Sequence, residues 1–201
     1  MGDVASRITV DLFKSVFAMD RKASAEVIKK GFEASYRALL NEQEKLGVRS
    51  KMKTTAVALA INETNAFIGH IGDSRLYVFT RSGAVTRTRD HSIPQMLVLT
   101  GEITDAEIRK HPQRNMLLRV LGLPWDSPKY EISAPISLSE CKAFLLCSDG
   151  FWELIDENTM IELLNNSSNV NEWLDKMISV VKTNGQNCIM DNNTAIAIWI
   201  E

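Results

Sequence analysis

Three aspartates share one local setting in this sequence. Asp73 follows AFIGHIG and precedes SRLYVF, Asp149 follows FLLCS and precedes Gly150, and Asp191 follows CIM and precedes NNTAIAIWI. Each stands where an apolar run meets a turn. A strand holds a carboxylate rigidly at its tip, and strand ends often gather at one rim of a sheet. Carboxylates crowded there repel one another and lose hydration. A divalent cation removes that cost, and an all-oxygen donor set suits magnesium or manganese. Asp before Gly or Ser is also ordinary turn chemistry, because its side chain can bond the backbone two residues on. Position alone leaves both readings open.

Other chemistries lack their residues. A cysteine phosphatase needs an arginine six positions after its nucleophile. Cys141, Cys147 and Cys188 are followed at that offset by Cys147, Glu153 and Thr194. There is no GxxxxGK phosphate loop and no GxGxxG fingerprint. HExxH and paired CxxC zinc spacings are absent, as is a GxSxG nucleophile elbow.

The elements that must position the aspartates follow from periodicity. Val4, Ile8, Leu12 and Val16 recur at helical spacing through Asp3 to Met19. Ser24 caps a second helix with Val27, Phe32, Tyr36 and Leu39 or Leu40 inward, ending near Gly47. TTAVALAIN, TNAFIGHIG, SRLYVFTR and Ala84 to Thr88 then predict four strands of an antiparallel meander. A flap subdomain at about 92–128 holds helical pieces at Pro94–Leu99 and Thr104–Lys110. Its charged face, Glu102, Asp105, Glu107, Arg109 and Lys110, is either solvated or a substrate-selecting surface. Tyr130–Ala134 and Lys142–Cys147 return to strand. Val170, Trp173, Leu174, Met177, Ile178 and Val181 mark a sheet-packing helix, and Thr194–Ile200 a final strand. The order predicts an α+β fold in one domain over 1–201, with antiparallel sheet packed on helices.

With 201 residues, 45% of them hydrophobic, the chain can bury a sizeable core. A net charge of −2 provides no basic excess for nucleic acid or anionic membrane. Three cysteines without paired spacing predict reduced thiols in a cytoplasmic protein. No stretch has the apolar length to span a bilayer, and the N-terminus lacks a signal-peptide pattern.

The motifs GHIGDSRLYVF (Gly69–Phe79), TRDHS (Thr88–Ser92), LLCSDGFWELI (Leu145–Ile155) and DNNTAIAIWI (Asp191–Ile200) occur in this order. TGEITDAEIRKHPQRNMLLRVLG (Thr100–Gly122) lies between the second and third, and GDVASR opens the first helix. Together they resemble the metal-dependent serine/threonine protein phosphatases of type 2C, bacterial-like, across nearly the whole chain. The resemblance implies an antiparallel β-sandwich flanked by helix pairs, a four-layer architecture. It implies a site of two to three manganese or magnesium ions, a phosphorylated protein substrate, and attack on phosphorus by a metal-activated water without a phosphoenzyme. By motif, Asp149 and Asp191 are direct metal ligands, and Asp73 belongs to a third, looser metal site shared with Asp149. Asn192 sets the turn behind Asp191. Ser148, Gly150 and Asp90 are supporting groups, with His91 and Ser92 beside Asp90 near the flap.

The family's N-terminal segment has no counterpart. That segment carries a phosphate-binding arginine and an Asp-Gly-x-Gly-Gly-His-like motif, whose Asp bridges the metals. No catalytic residue is therefore assignable in this chain. Arg7 lies in the first helix, His70 is a packed mid-strand histidine, and His111 is flap surface. The expectation is an N-terminally truncated phosphatase, weakly active or inactive alone, with an exposed sheet edge through which it dimerises. The alternative is a non-catalytic interaction module of the same fold, and a more distant one is a small-molecule phosphate-ester hydrolase.

Overall fold

Helix periodicity and capping account for the first two elements of the computed structural model, which describes every residue except Arg21, 187–190 and Glu201. Helix α1 (Gly2–Met19) packs through Ala5 and Thr9, both buried, with Ile8, Phe13, Val16 and Phe17 partly covered. Val4, the first of the residues at helical spacing, is exposed. Small residues at the contact let α1 approach α2 (Ala25–Leu46) closely. At Gly31 of α2 an added Cβ would meet the Phe13 ring at 2.5 Å. Ser24 caps α2 by accepting from Val27 N–H, and Gly47 ends it in the left-handed conformation at φ 64°.

Strands β1 (Ala56–Ile61) and β2 (Asn65–Ile71) pair antiparallel, with Ala56 opposite Ile71. β5 (Glu131–Ile132) and β6 (Ile136–Ser137) add to the other side of β2. The expected strand Tyr130–Ala134 is thus only two residues long, followed by a second short pair. Gly69 of β2 lies directly beneath Ile28 and Phe32 of α2, and a side chain there would collide with both. Phe32 stacks on Tyr130 at 4.8 Å and meets Phe13 edge-on at 5.1 Å. These residues, with Val27, Leu39, Met52, Ala60, Ile71 and Leu121, form the core of one compact unit, Met1–Asp73 with Asp90–Ser137.

The flap belongs to this unit. It contains α3 (Ile93–Thr100), capped by Ser92, and a 3-10 turn at Asp105–Lys110. Glu107 accepts from Thr104 N–H at 2.7 Å, so one member of the charged flap face serves the turn's own cap. The far end of the flap is pinned by the Thr54–Leu121 bridge and by Gln43, whose amide donates to Gly122 C=O at 2.9 Å.

The second unit comprises Ser74–Arg89 and Leu138–Glu201. Its sheet runs β4 (Val85–Arg87), β3 (Arg75–Thr80), β7 (Cys141–Cys147), β8 (Ala195–Trp199), all antiparallel. The expected four-strand meander is therefore broken. β2 and β3 are not neighbours, and the chain leaves one sheet and enters the other at Gly72-Asp73-Ser74. Gly72 permits the change, with φ 100° and no room for a side chain beside Thr55. After β7 come α4 (Asp149–Trp152), α5 (Glu157–Asn165) and α6 (Val170–Gly185). Trp173 of α6 meets Phe79 edge-on at 5.2 Å and donates its indole N–H to Met160 C=O. Helix α6 is the expected sheet-packing helix, with Trp173, Met177 and Val181 buried. Cys141 and Cys147 are buried and unbridged, and Cys188 lies outside the described residues. No helix among the described residues is long and apolar enough to cross a membrane.

Candidate metal centre

The register of the second sheet decides which carboxylates meet. Cys147 at the end of β7 pairs with Ala195 at the start of β8 and with Arg75 at the start of β3. Antiparallel pairing puts the exit of β7 and the entry of β8 at one rim, so residues 148–150 and 191–194 leave the sheet side by side. Ser148 ties the two together. Its N–H donates to Thr194 C=O at 3.1 Å, its Oγ accepts from Thr194 N–H at 3.1 Å, and the same hydroxyl donates to Asn192 C=O at 3.4 Å. Gly150 is close enough to the other segment that an added Cβ would sit 2.7 Å from Asn192 O and 3.0 Å from Asp191 O.

Asp149 and Asp191 are therefore neighbours, each folded back on the following residue. Asp149 Oδ1 accepts from Gly150 N–H at 2.9 Å, and Asp191 Oδ1 accepts from Asn192 N–H at 2.7 Å. Both bonds reach the next residue rather than the backbone two residues on, and they leave the two aspartates at the same rim. The donors available are carboxylate and main-chain carbonyl oxygens, the hard set that manganese or magnesium takes. The residues fit such an ion.

Behind this rim lies a buried cation. Arg75 is fully buried, its guanidinium carbon 3.4 Å from the centre of the Trp152 ring. It donates to Tyr77 Oη at 3.1 Å and lies 3.9 Å from Glu157 Oε1. Burial pushes the Tyr77 phenol well above its usual range, which keeps the hydroxyl neutral beside the guanidinium. Trp152, expected as a core plug, is also the platform that fastens α4, and with it Asp149, to the first residue of β3.

Asp73 and Asp90 belong to the other unit, and both are buried there. They flank a pair of hydrogen bonds between Gly72 and His91, one to main chain and one to side chain. His91 N–H donates to Gly72 C=O at 2.9 Å, and Gly72 N–H donates to His91 Nδ1 at 3.1 Å. Asp73 follows Gly72 and Asp90 precedes His91, so this pairing anchors the backbone beside each. Asp90 N–H reaches Gln95 Oε1 at 3.3 Å, on the first turn of α3.

A second group of ligating side chains, His70, His91 and Glu131, appears in this unit, with ligand atoms within 4.8 Å of one another. His70 on β2 faces Glu131 on β5 across the strand pair, and its ring stacks on His91 at 4.7 Å and 12°. This arrangement suits a metal poorly. Nearly parallel rings aim their in-plane lone pairs along separate planes, so one ion does not lie on both. Nδ1 of His91 is occupied by the Gly72 N–H, and Glu131 Oε1 already accepts from Arg119 at 3.1 Å. His91 Nε2 stands 3.2 Å from Glu131 Oε1 but misaligned, and it has no hydrogen-bond partner. Burial, then the neighbouring His70, hold the His91 imidazole below its usual pKa. Burial works against the Glu131 carboxylate, but His91, His70 and Arg119 outweigh it and hold its pKa low. His70 was expected as a packed histidine, and its stack on His91 was not visible from sequence.

Sequence and fold comparisons identify the family. The family model for protein phosphatase 2C matches residues 1–197. The serine/threonine phosphatase stp of Listeria monocytogenes is 30% identical over 205 residues, which cover 98% of this chain and 78% of that protein. The crystal structure of the serine/threonine phosphatase Stp1 from Staphylococcus aureus superposes with a TM-score of 0.87 at 29% identity, covering 100% of this chain and 79% of that one. The catalytic domain of the protein phosphatase PstP, solved in complex with two manganese ions, shares the fold at a TM-score of 0.80 and 23% identity, with 99% and 82% covered. The chain belongs to the protein phosphatase 2C family, with an α+β fold of two antiparallel sheets and helices.

Proposed function

We propose that this chain is a serine/threonine protein phosphatase that hydrolyses phosphoserine and phosphothreonine esters of protein substrates with manganese or magnesium. Asp149 and Asp191 hold the ions, and Asp73 contributes to a further, looser site. Ser148, Gly150, Asn192 and Asp90 position them. The observation that carries this reading is the pairing of the Asp149 and Asp191 segments at one sheet rim, joined by Ser148 and spaced by a glycine. Chemistry supplied by a bound divalent ion is activation of water and neutralisation of phosphoryl charge. The chain's own residues present oxygen donors from the end of β7 and from the segment that leads into β8, which Ser148 ties together. The matched motifs assign no bridging aspartate, so turnover by this chain alone is expected to be weak.

Manganese titration by calorimetry, followed by hydrolysis of a phosphothreonine peptide, tests the proposal. Uptake should fall at least tenfold in Asp149→Asn and in Asp191→Asn. Equal affinity in wild type and both variants would remove this rim as the metal site. Manganese uptake with no turnover, also in a form extended upstream in frame, identifies a non-catalytic interaction module instead.

A further inference from the structure

We propose that His91 is the positioning residue of the Gly72–Asp73 turn, acting through Nδ1 as the acceptor of the Gly72 N–H and held as the Nε2–H tautomer. The role of Asp73 that this serves rests on the metal-site reading above.

Gly72 is where the chain leaves one sheet, and neither of its polar main-chain groups is satisfied by a strand neighbour. Both are taken by a single residue. Gly72 C=O accepts from the backbone of His91, and Gly72 N–H donates to the side chain of the same residue. Two bonds from two atoms of one residue fix position and orientation together, across a separation of 19 positions. The turn has little other freedom, since Gly72 is packed on Thr55.

The acceptor role sets the tautomer. A proton on Nδ1 would face the Gly72 N–H donor to donor, so the neutral ring carries its proton on Nε2. That proton points into the cluster made by His70, Glu131 and Arg119, the charged and titratable groups around the ring. His70 stacks on one face, and Glu131 Oε1, shared with Arg119, stands 3.2 Å from Nε2. The ring is thereby packed on His70 of β2 while its other nitrogen holds the turn. Leu118 N–H donates to His91 C=O at 2.8 Å, which ties the same residue to the flap. Asp73 is buried, and His91 holds the backbone that carries it.

The two nitrogens are separable by substitution. Asparagine places an acceptor where Nδ1 stands, whereas glutamine reaches the Nε2 position and leaves Gly72 N–H without a partner. In the full chain, nitrogen NMR of wild type should show His91 protonated on Nε2 and bare on Nδ1. Amide exchange at Gly72 should quicken about tenfold or more in His91→Gln and stay within about threefold in His91→Asn. Calorimetric manganese affinity at the weakest site should follow the same order. A wild-type proton on Nδ1 overturns the proposal without any variant, as do equal effects of asparagine and glutamine. Faster Gly72 exchange in His91→Gln with unchanged manganese affinity also overturns the positioning of Asp73. Failure of the metal reading is distinct. It appears as unchanged manganese uptake in Asp149→Asn and Asp191→Asn, while the tautomer and exchange results still decide what His91 does.

Discussion

Gly150→Ala tests whether the Asp149 and Asp191 segments are held at contact distance. The added Cβ would lie 2.7 Å from Asn192 O and 3.0 Å from Asp191 O, where ordinary contact begins at 3.4 Å. The nearer overlap is 3.4 − 2.7 = 0.7 Å, and both obstructing atoms are backbone, so no side-chain rotation relieves it. Overpacking of this kind costs about 1–3 kcal/mol. Gly150 lies in a helical turn, and replacing glycine by alanine there returns up to about 1 kcal/mol of propensity. The clash wins, with a net loss of about 1–2 kcal/mol. For a chain of this size each kcal/mol moves Tm by about 2–4 °C, so a fall of about 2–8 °C is expected. Metal uptake should suffer more. Coordination distances tolerate deviations of about 0.2 Å, less than the separation the methyl group imposes. Manganese affinity, read by calorimetry, should drop at least about tenfold, and Gly83→Ala, at φ 89° with nothing within 4 Å of the new methyl, serves as the control that leaves it unchanged. A Gly150→Ala protein with Tm within about 1 °C of wild type and affinity within about twofold would refute the close approach of the two segments.

Three further outcomes are expected. Trp152→Ala removes the platform beneath a fully buried guanidinium, and should cost about 3–5 kcal/mol in urea unfolding, with Arg75→Met in the same background recovering part of it. His91 is held below its ordinary pKa of 6.5 in the fold, so the unfolded chain binds more protons as pH drops through that value. Its contribution is full above about pH 6.5, declines below it, and levels off once the folded imidazole is also charged. The stability gap between wild type and His91→Asn should therefore narrow from pH 7.5 to pH 5.5, and a gap that widens would contradict the burial that lowers this group. Ile196, 56% exposed on β8 at one edge of its sheet, should drive self-association, and Ile196→Lys should shift a dimeric fraction to monomer in light scattering.

Much of the local structure was legible because it obeys short-range rules. Ser24 and Gly47 bound α2, Trp173, Met177 and Val181 of the α6 stripe are buried, and the apolar runs before Asp73 and Asp149 are strands, while the run before Asp191 lies outside the described residues. Helix α5 was missed because only Met160 and Leu164 mark its buried side over nine residues. The meander failed for a different reason. β2 and β3 have strand composition and a glycine turn between them, and nothing in either run specifies its partner strand. Arg75 gave no sign of its burial, since an arginine opening a strand is ordinarily solvated. Its place depends on Trp152, 77 positions later.

What the amino-acid order determined by itself is the inventory: which residues are apolar at which period, where glycine and aspartate interrupt them, and which family motifs they spell. Those are properties of neighbours along the chain, and steric and capping preferences act at that range. Only the tertiary structure decided which interruptions meet. The Cys147–Ala195 register brings Asp149 beside Asp191, and one pair of hydrogen bonds sets His91 against Gly72. Pairing of that kind is selected by burial and register over the whole sheet, a condition that no local stretch of sequence contains.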